Sequence, residues 1–363
     1  MTFWQVIIMA KLYKFIPDYK AIEVISSLSE VCDWGQAYTH IDKYRETLKT
    51  KGEGMKVVIL DTGQPVHVDL NDNIKGSQDF TGNNDAIDRQ GHSSHVHGII
   101  GAIDNGVGVI GIAPRCDLYS GKVLDNNGLC PGDYSWIMKG LEWAIEINAD
   151  IVNMSLGAAI NPPNQLRQLI KTATDKGMIL IAAAGNEGQK QVDFPGRFEE
   201  VIAVAAMTEN GQVANYSNVG QGLDFIAPGS DVYSTYLNDG YAKLSGTSMS
   251  SPFIAGISAL ILAYHRTAIN HTTPITNYKE LQQHIDRYEK GSLIDLGDGN
   301  TIGILDFATG LNEDGTVMVS SAAQDLQSNP EGVLQPVHAS SVSTGCAVLA
   351  FKWILNCFNK KVK

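Results

Sequence analysis

The stretch Met55–Gly63, MKVVILDTG, decides how the rest of the chain is read. Val57 to Leu60 is an uninterrupted apolar run, short for a helix and without the alternation that leaves one face in water. It reads as a strand buried on both faces, and it stops on the polar turn Asp61-Thr62-Gly63. Working outward, runs of the same kind recur at Asp117–Leu124, Asp150–Leu156, Met178–Gly185 and Val201–Met207. Helical patterns lie between them. His92–Ile103 is helix-compatible, and Tyr134–Asn148 carries Trp136, Ile137, Leu141, Ala144 and Ile145 at helical spacing. Gln165–Lys176 is closed by Gly177, a natural C-terminal cap. Thr247–Arg266 is a long apolar helix and Tyr278–Tyr288 a shorter amphipathic one. Apolar strands each followed by a helix predict an α/β protein with a mainly parallel central sheet covered on both faces. In such sheets the active residues gather at the carboxyl ends of the strands, so the residues to inspect lie just after each run.

The chain has 363 residues, 44% hydrophobic and 18% charged, enough to bury a sizeable core. With 27 Lys+Arg against 39 Asp+Glu its formal net charge is -12. That sign opposes general phosphate-backbone binding, so nucleic acid is not expected as a partner. The cysteines Cys32, Cys116, Cys130, Cys346 and Cys357 are odd in number and hold no C-x-x-C pair. They suit free thiols in a reducing compartment better than a disulfide framework or a zinc knuckle. The apolar run Phe3–Ala10 has no basic stretch before it, is shorter than a membrane span and lacks a clear cleavage site. No secretory signal is expected from it, and Met9 is an alternative start.

Two flanks depart from the strand–helix alternation. Residues up to about Lys51 include a charged, mixed helical segment. The tail beyond Leu311 is rich in Ser, Gly and Asn and ends in GCAVLAFKWILNCFNKKVK. Its apolar part, Gly345–Phe358, is too short to span a bilayer. It is expected to dock on the protein, to lie on a membrane surface or to join two copies as a homodimer.

Three motifs stand where chemistry is expected. Asp61 ends the first strand; alone it could be a turn starter. Gly91–Gly98, GHSSHVHG, opens a helix, and its histidines could form a metal cluster or supply one catalytic imidazole. Gly246–Pro252, GTSMSSP, opens the long apolar helix, where a serine could simply cap the N-terminus. Together they carry more weight. Serine nucleophile chemistry needs a base within reach and a carboxylate that fixes the base's tautomer, and the chain supplies Asp, His and Ser, each at the end of a different element. A fourth piece, Ala183–Glu187 (AAGNE), places Asn186 after a strand, where its amide could donate to an oxyanion.

From Lys51 to Leu311 the chain resembles the subtilisin-like serine proteases. VVILDTG, GHSSHVHG, WIMKGLEWAI, VNMSLG, AAAGNEG, IAPG and GTSMSSP all occur in family order. The resemblance implies a three-layer α/β/α fold and a serine endopeptidase acting on polypeptides. It implies Asp61 as orienting carboxylate, His92 as general base and acid, Ser248 as nucleophile, and Asn186 with the Ser248 N–H as oxyanion hole. Ser155-Leu156-Gly157 would be the strand edge that pairs with extended substrate. Gly157, Ala183 and Gly185 would wall the first specificity pocket. Asp193, where the family often has Gly or Ser, would sit at that pocket's base and favour Lys or Arg. A calcium site is implied on Asp69, Asn105 and the carbonyls of Ile103, Val107 and Val109.

Lys14–Tyr19, KFIPDY, resembles a segment near the start of intracellular subtilisins. It implies an N-terminal extension, residues 1–50, lying across the active site as in a zymogen, ahead of a catalytic domain at 51–311 and a tail at 312–363. A cytoplasmic setting follows from the same likeness. The inserted Asp18 departs from that segment, and around His92 the family pattern changes too: Ser94 stands for a threonine, Ser93 replaces a glycine and His97 a small residue. Three readings follow: a working protease with compensated packing, a catalytically weak relative acting as a binding or regulatory protein, and a metal site on His92, His95 and His97.

Overall fold

The computed structural model describes residues 12–16, 24–25, 29–267, 275–295 and 301–310, all within one compact unit, Met1–Met318. Gly345–Phe358 and the Pro17-Asp18-Tyr19 end of the N-terminal motif lie outside the described residues. A seven-stranded sheet forms the centre, in the order Phe225–Pro228, Ile202–Met207, Ile179–Ala183, Ile151–Met154, Lys56–Asp61, Asp117–Lys122, Ile74–Asp79. Every neighbouring pair is parallel.

The central strand shows why the sequence had to be read as buried on both faces. Val57 and Ile59 enter a core beneath the helices His92–Gly101 and Thr247–Thr267. Val58 and Leu60 enter the opposite core, shared with the helices Ser135–Glu146 and Asn164–Asp175. Alternate side chains of one strand thus fill two separate cores, and the three-layer α/β/α architecture follows. Lys56–Asp61 is first in sequence yet lies in the sheet's middle, flanked by strands that come later. Strand order reverses around it, which puts Asp61 at a topological switch point.

Boundaries move by a few residues from expectation. Gly177 closes its helix at φ 84, as a left-handed cap should. The helix expected at Tyr278–Tyr288 is α-helical to Ile285 and tightens into a 3-10 turn over Asp286–Tyr288. Thr247–Thr267 is long and apolar enough to cross a membrane by composition, but nearly all of it is buried in the core. Several strands carried no readable signal. Ile74–Asp79 (IKGSQD) is a polar edge strand, and Val232–Thr235 with Tyr241–Leu244 forms an antiparallel hairpin that Val24–Ile25 extends.

Candidate active site

Asp61 and His92 come together from the end of the central strand and the start of the His92 helix. His92 Nδ1 lies 2.8 Å from Asp61 Oδ1 and 2.9 Å from Oδ2, and both residues are buried. Facing a carboxylate, Nδ1 must carry the proton, so the neutral ring keeps its lone pair on Nε2. The Thr62 N–H also donates to Asp61 Oδ1 (2.7 Å), which fixes the carboxylate's rotation.

Ser248 is the second residue of the long core helix. Its Oγ donates to the Ser155 carbonyl at 3.0 Å, and Ser155 Oγ donates back to the Ser248 carbonyl at 2.8 Å. Asn186 joins the same helix start: its Oδ1 accepts from Thr247 N at 2.8 Å, turning its amide nitrogen away from that bond. A Cβ placed on Gly246 would lie 3.6 Å from Asn186 Oδ1, 3.7 Å from Ser248 N and 3.8 Å from Asn186 Nδ2, so the Asn186 amide lies beside the helix start. An anion there would also meet the positive end of the helix dipole.

A cavity of about 110 Å³ opens beside them, lined by Gly157, Ala183, Gly185, Asn186, Asp193 and Ser248 among others. Asp193 is almost fully buried, its Cβ 3.1 Å from where a Gly157 Cβ would stand. Burial and the adjacent Glu187 charge push its carboxyl up to about 7, against the pull of Arg197. Glu187, which sequence reading did not single out, lines the same cavity. Its carboxylate accepts from Asn186 N at 3.0 Å and Asn218 Nδ2 at 2.8 Å.

The cavity also touches the N-terminal segment. Leu12–Lys14 pairs antiparallel with Leu129–Pro131, and the Gly157 N–H donates to the Phe15 carbonyl at 2.9 Å. Phe15 meets Tyr134 edge-to-face with ring centroids 5.0 Å apart, and both Phe15 and Ile16 are buried. Gly128, at φ 72, makes room: a Cβ there would stand 2.2 Å from Ile16 Cγ1. The edge expected to receive extended substrate is therefore bonded to the chain's own N-terminal segment.

Around Asp69 the donors are arranged differently from expectation. Asn105 turns its amide nitrogen, not its oxygen, to Asp69 Oδ1 (3.0 Å) and accepts the Val107 N–H (3.0 Å) on its Oδ1. Asp69 Oδ2 accepts from Tyr241 OH (2.7 Å) and Val109 N (3.1 Å). As placed, Asn105 presents a nitrogen, no ligand for a hard cation; an ion would require the amide to turn and give up the Val107 N–H. Among the described residues no cluster of three His, Cys, Asp or Glu side chains is placed to hold a metal. An ion here would rest largely on the carbonyls of Ile103, Val107 and Val109. Glu30, also missed in the sequence, braces this loop by accepting from Asn105 N and Gly106 N, each at 3.1 Å.

The three helix histidines turn to three different partners. His95 Nε2 donates to the Val232 and Ala242 carbonyls (2.9 and 3.0 Å), and burial pushes its pKa down to about 3. His97 Nδ1 donates to the Ser93 carbonyl at 2.8 Å, so its Nε2 accepts from Ser120 Oγ at 2.7 Å. Burial pushes His97 down to about 4, with the Ser93 carbonyl and the Asp61 and Asp88 charges opposing. The departures Ser93 and His97 thus pack together, with Ser93 Oγ 3.2 Å from His97 Nδ1.

A parallel sheet with a carboxylate–imidazole pair at its switch point, and a serine at a helix start beside a strand edge that takes up an extended segment, defines an α/β serine hydrolase. The chain belongs to the subtilase family, whose model matches residues 52–292. It is 39% identical over 258 residues to the thermostable alkaline protease of Halalkalibacterium halodurans, covering 70% of each chain. It is 43% identical over 211 residues to subtilisin Savinase of Lederbergia lenta, covering 58% of this chain and 77% of that one. The M-protease of Shouchella clausii is likewise 43% identical over 211 residues, 58% of this chain and 54% of the relative. The protein is a subtilisin-like serine endopeptidase.

Proposed function

We propose that this endopeptidase works through an Asp61–His92–Ser248 triad and an acyl-enzyme, inside the cell, with its N-terminal extension as a built-in inhibitor. The observation that carries the reading is the two-oxygen contact of the Asp61 carboxylate with His92 Nδ1. It leaves Nε2 free of a proton and therefore basic. Rotation of the Ser248 hydroxyl off the Ser155 carbonyl delivers its proton to Nε2 as Oγ attacks the scissile carbonyl. The oxyanion forms between Asn186 Nδ2 and Ser248 N. His92 then gives the proton to the leaving amine, and water repeats the sequence on the acyl-enzyme.

Asp193 at the pocket base, with Glu187 beside it, supports a preference for Lys or Arg before the scissile bond. Lying on Gly157, the N-terminal segment occupies a main-chain donor, the Gly157 N–H, that substrate needs, which supports autoinhibition. Calcium would be held by Asp69, Asn105 and the Ile103, Val107 and Val109 carbonyls. It would stiffen that loop and takes no part in the chemistry. Buried free thiols at Cys116 and Cys130 suit a reducing compartment. The test is labelling by a serine-directed fluorophosphonate: wild type should be labelled on Ser248. A label elsewhere, or an unreactive protein after removal of the N-terminal segment, would defeat the triad.

A further inference from the structure

We infer that Asp88 is a positioning residue, a second buried carboxylate that locks the turn carrying Asp61 to the helix carrying His92. This rests on the proposed roles of that pair. Asp88 makes five side-chain hydrogen bonds and is buried. Its Oδ1 accepts from Thr62 Oγ1 (2.9 Å), Gln90 N (2.9 Å) and Gly91 N (3.0 Å). Its Oδ2 accepts from Ser94 N (2.8 Å) and Ser94 Oγ (2.7 Å). Thr62 adjoins Asp61 and donates its own N–H to that carboxylate, while Gly91 and Ser94 bracket His92. One carboxyl group therefore grips both halves of the catalytic pair.

The arrangement follows from an unmet need at the helix start. Gly91 has no side chain to cap the His92 helix, and the first N–H groups of any helix lack internal acceptors. Here they find acceptors in turn: His92 N on Gln90 Oε1 (2.8 Å), Ser93 N on Thr62 Oγ1 (3.1 Å) and Ser94 N on Asp88 Oδ2. Thr62 thus accepts from the helix and donates to Asp88, and helix and turn cannot shift independently. The turn is held from its other side by Lys122, whose Nζ donates to the Thr62 carbonyl (2.8 Å) and the Ile87 carbonyl (2.9 Å). Backbone bonds between Asp88 N and Gln64 O (2.7 Å) and Gln64 N and Ala86 O (2.6 Å) close the unit.

A positioning role predicts a loss in kcat with KM unchanged, because the pocket and the Gly157 edge are built from other elements. Misplacing a catalytic group by about 1 Å can cost roughly a hundredfold. Asp88→Ala, assayed as the full chain on a peptide anilide and normalised by active-site titration, should lose about ten- to a hundredfold in kcat with KM within about twofold. Asp88→Asn should lose less than Asp88→Ala, because its amide oxygen can still take the Thr62 and Gly91 donors while its amide nitrogen is left facing the Ser94 N–H. Thr62→Val cuts the same link from the other end and should cost about tenfold in kcat. Combined with Asp88→Ala it should add little, since a link already broken cannot be broken again. The idea is overturned if folded Asp88→Ala keeps kcat within about threefold of wild type, if the loss lies in KM, or if the two losses multiply. Should Asp88→Ala not fold, Thr62→Val decides alone, and a kcat within about threefold of wild type overturns it. Ser248→Ala run alongside separates the two levels: activity surviving there removes the triad itself, whereas a dead Ser248→Ala beside an unimpaired Asp88→Ala removes only the positioning role.

Discussion

Phe15→Ala should activate the enzyme. The Phe15 side chain is 2% exposed and sits edge-to-face on Tyr134, while its carbonyl takes the Gly157 N–H. Truncating a buried phenylalanine to alanine costs about 3–5 kcal/mol. The segment is a short strand whose surroundings can relax, so the lower end applies, about 3 kcal/mol. At 1.4 kcal/mol per factor of ten, docking weakens by roughly a hundredfold. Docked segment and substrate compete for the same main-chain donor, so the observed KM is raised by the docking constant and kcat is untouched. Phe15→Ala should therefore lower KM and raise kcat/KM, by up to about a hundredfold if the docked form dominates in the wild type. The assay is initial-rate hydrolysis of a peptide anilide over a range of concentrations, before self-cleavage sets in. Melting of the same substitution on a Ser248→Ala background checks that the core is intact. An unchanged kcat/KM, or a gain confined to kcat, would refute the competition argument.

Replacing Asn186 by Leu should cut kcat by about 10²–10³, the magnitude seen when subtilisin loses one oxyanion-hole donor; wild-type turnover would exclude Asn186 from the oxyanion hole. Asp193→Ser should abolish a preference for Arg over Leu substrates. In the wild type that preference should strengthen as pH rises through about 7, because below it the carboxyl is protonated and neutral; a pH-independent ratio would count against the charge pairing. His97 is buried neutral with its pKa lowered to about 4, so the unfolded chain binds its proton first. The stability it holds above pH ~6.5 is lost as pH falls toward 4, to the extent of about 3 kcal/mol. In urea unfolding on the Ser248→Ala background, His97→Ala should be less acid-sensitive by about that amount, and parallel pH curves would contradict it. A calcium chelator should lower the melting temperature of the wild type but not of Asp69→Ala; equal responses would leave the loop without an ion.

How far the sequence could be read depended on how local the signal was. Val57–Leu60, Ile151–Met154 and Ile179–Ala183 are apolar on both sides because both cores claim them, and that shows in the residues themselves. Ile74–Asp79 hides because an edge strand with one wet face needs no apolar run. Val232–Thr235 hides because its burial comes from the His92 helix laid across it, not from its own pattern. Asp61, His92, Asn186 and Ser248 were legible as motifs at the ends of elements. What braces them was not. Asp88 looks like one more loop carboxylate, and Lys122 like a charged strand end, until the chain brings Thr62 to both. Glu187 and Asp193 both follow the strand Ile179–Ala183 and share a cavity because that loop folds back, with Asp193 N donating to the Ala184 carbonyl. The contact of Phe15 with Tyr134 joins residues far apart in sequence, which no local pattern encodes.

The central claim is that Ser248 is the nucleophile. Casein or peptide hydrolysis by wild type and Ser248→Ala, with N-terminal sequencing of any self-processed product, tests it directly. Wild type should hydrolyse the substrate and trim its own N-terminal extension, and Ser248→Ala should do neither. Hydrolysis that survives in Ser248→Ala at a comparable rate would contradict it.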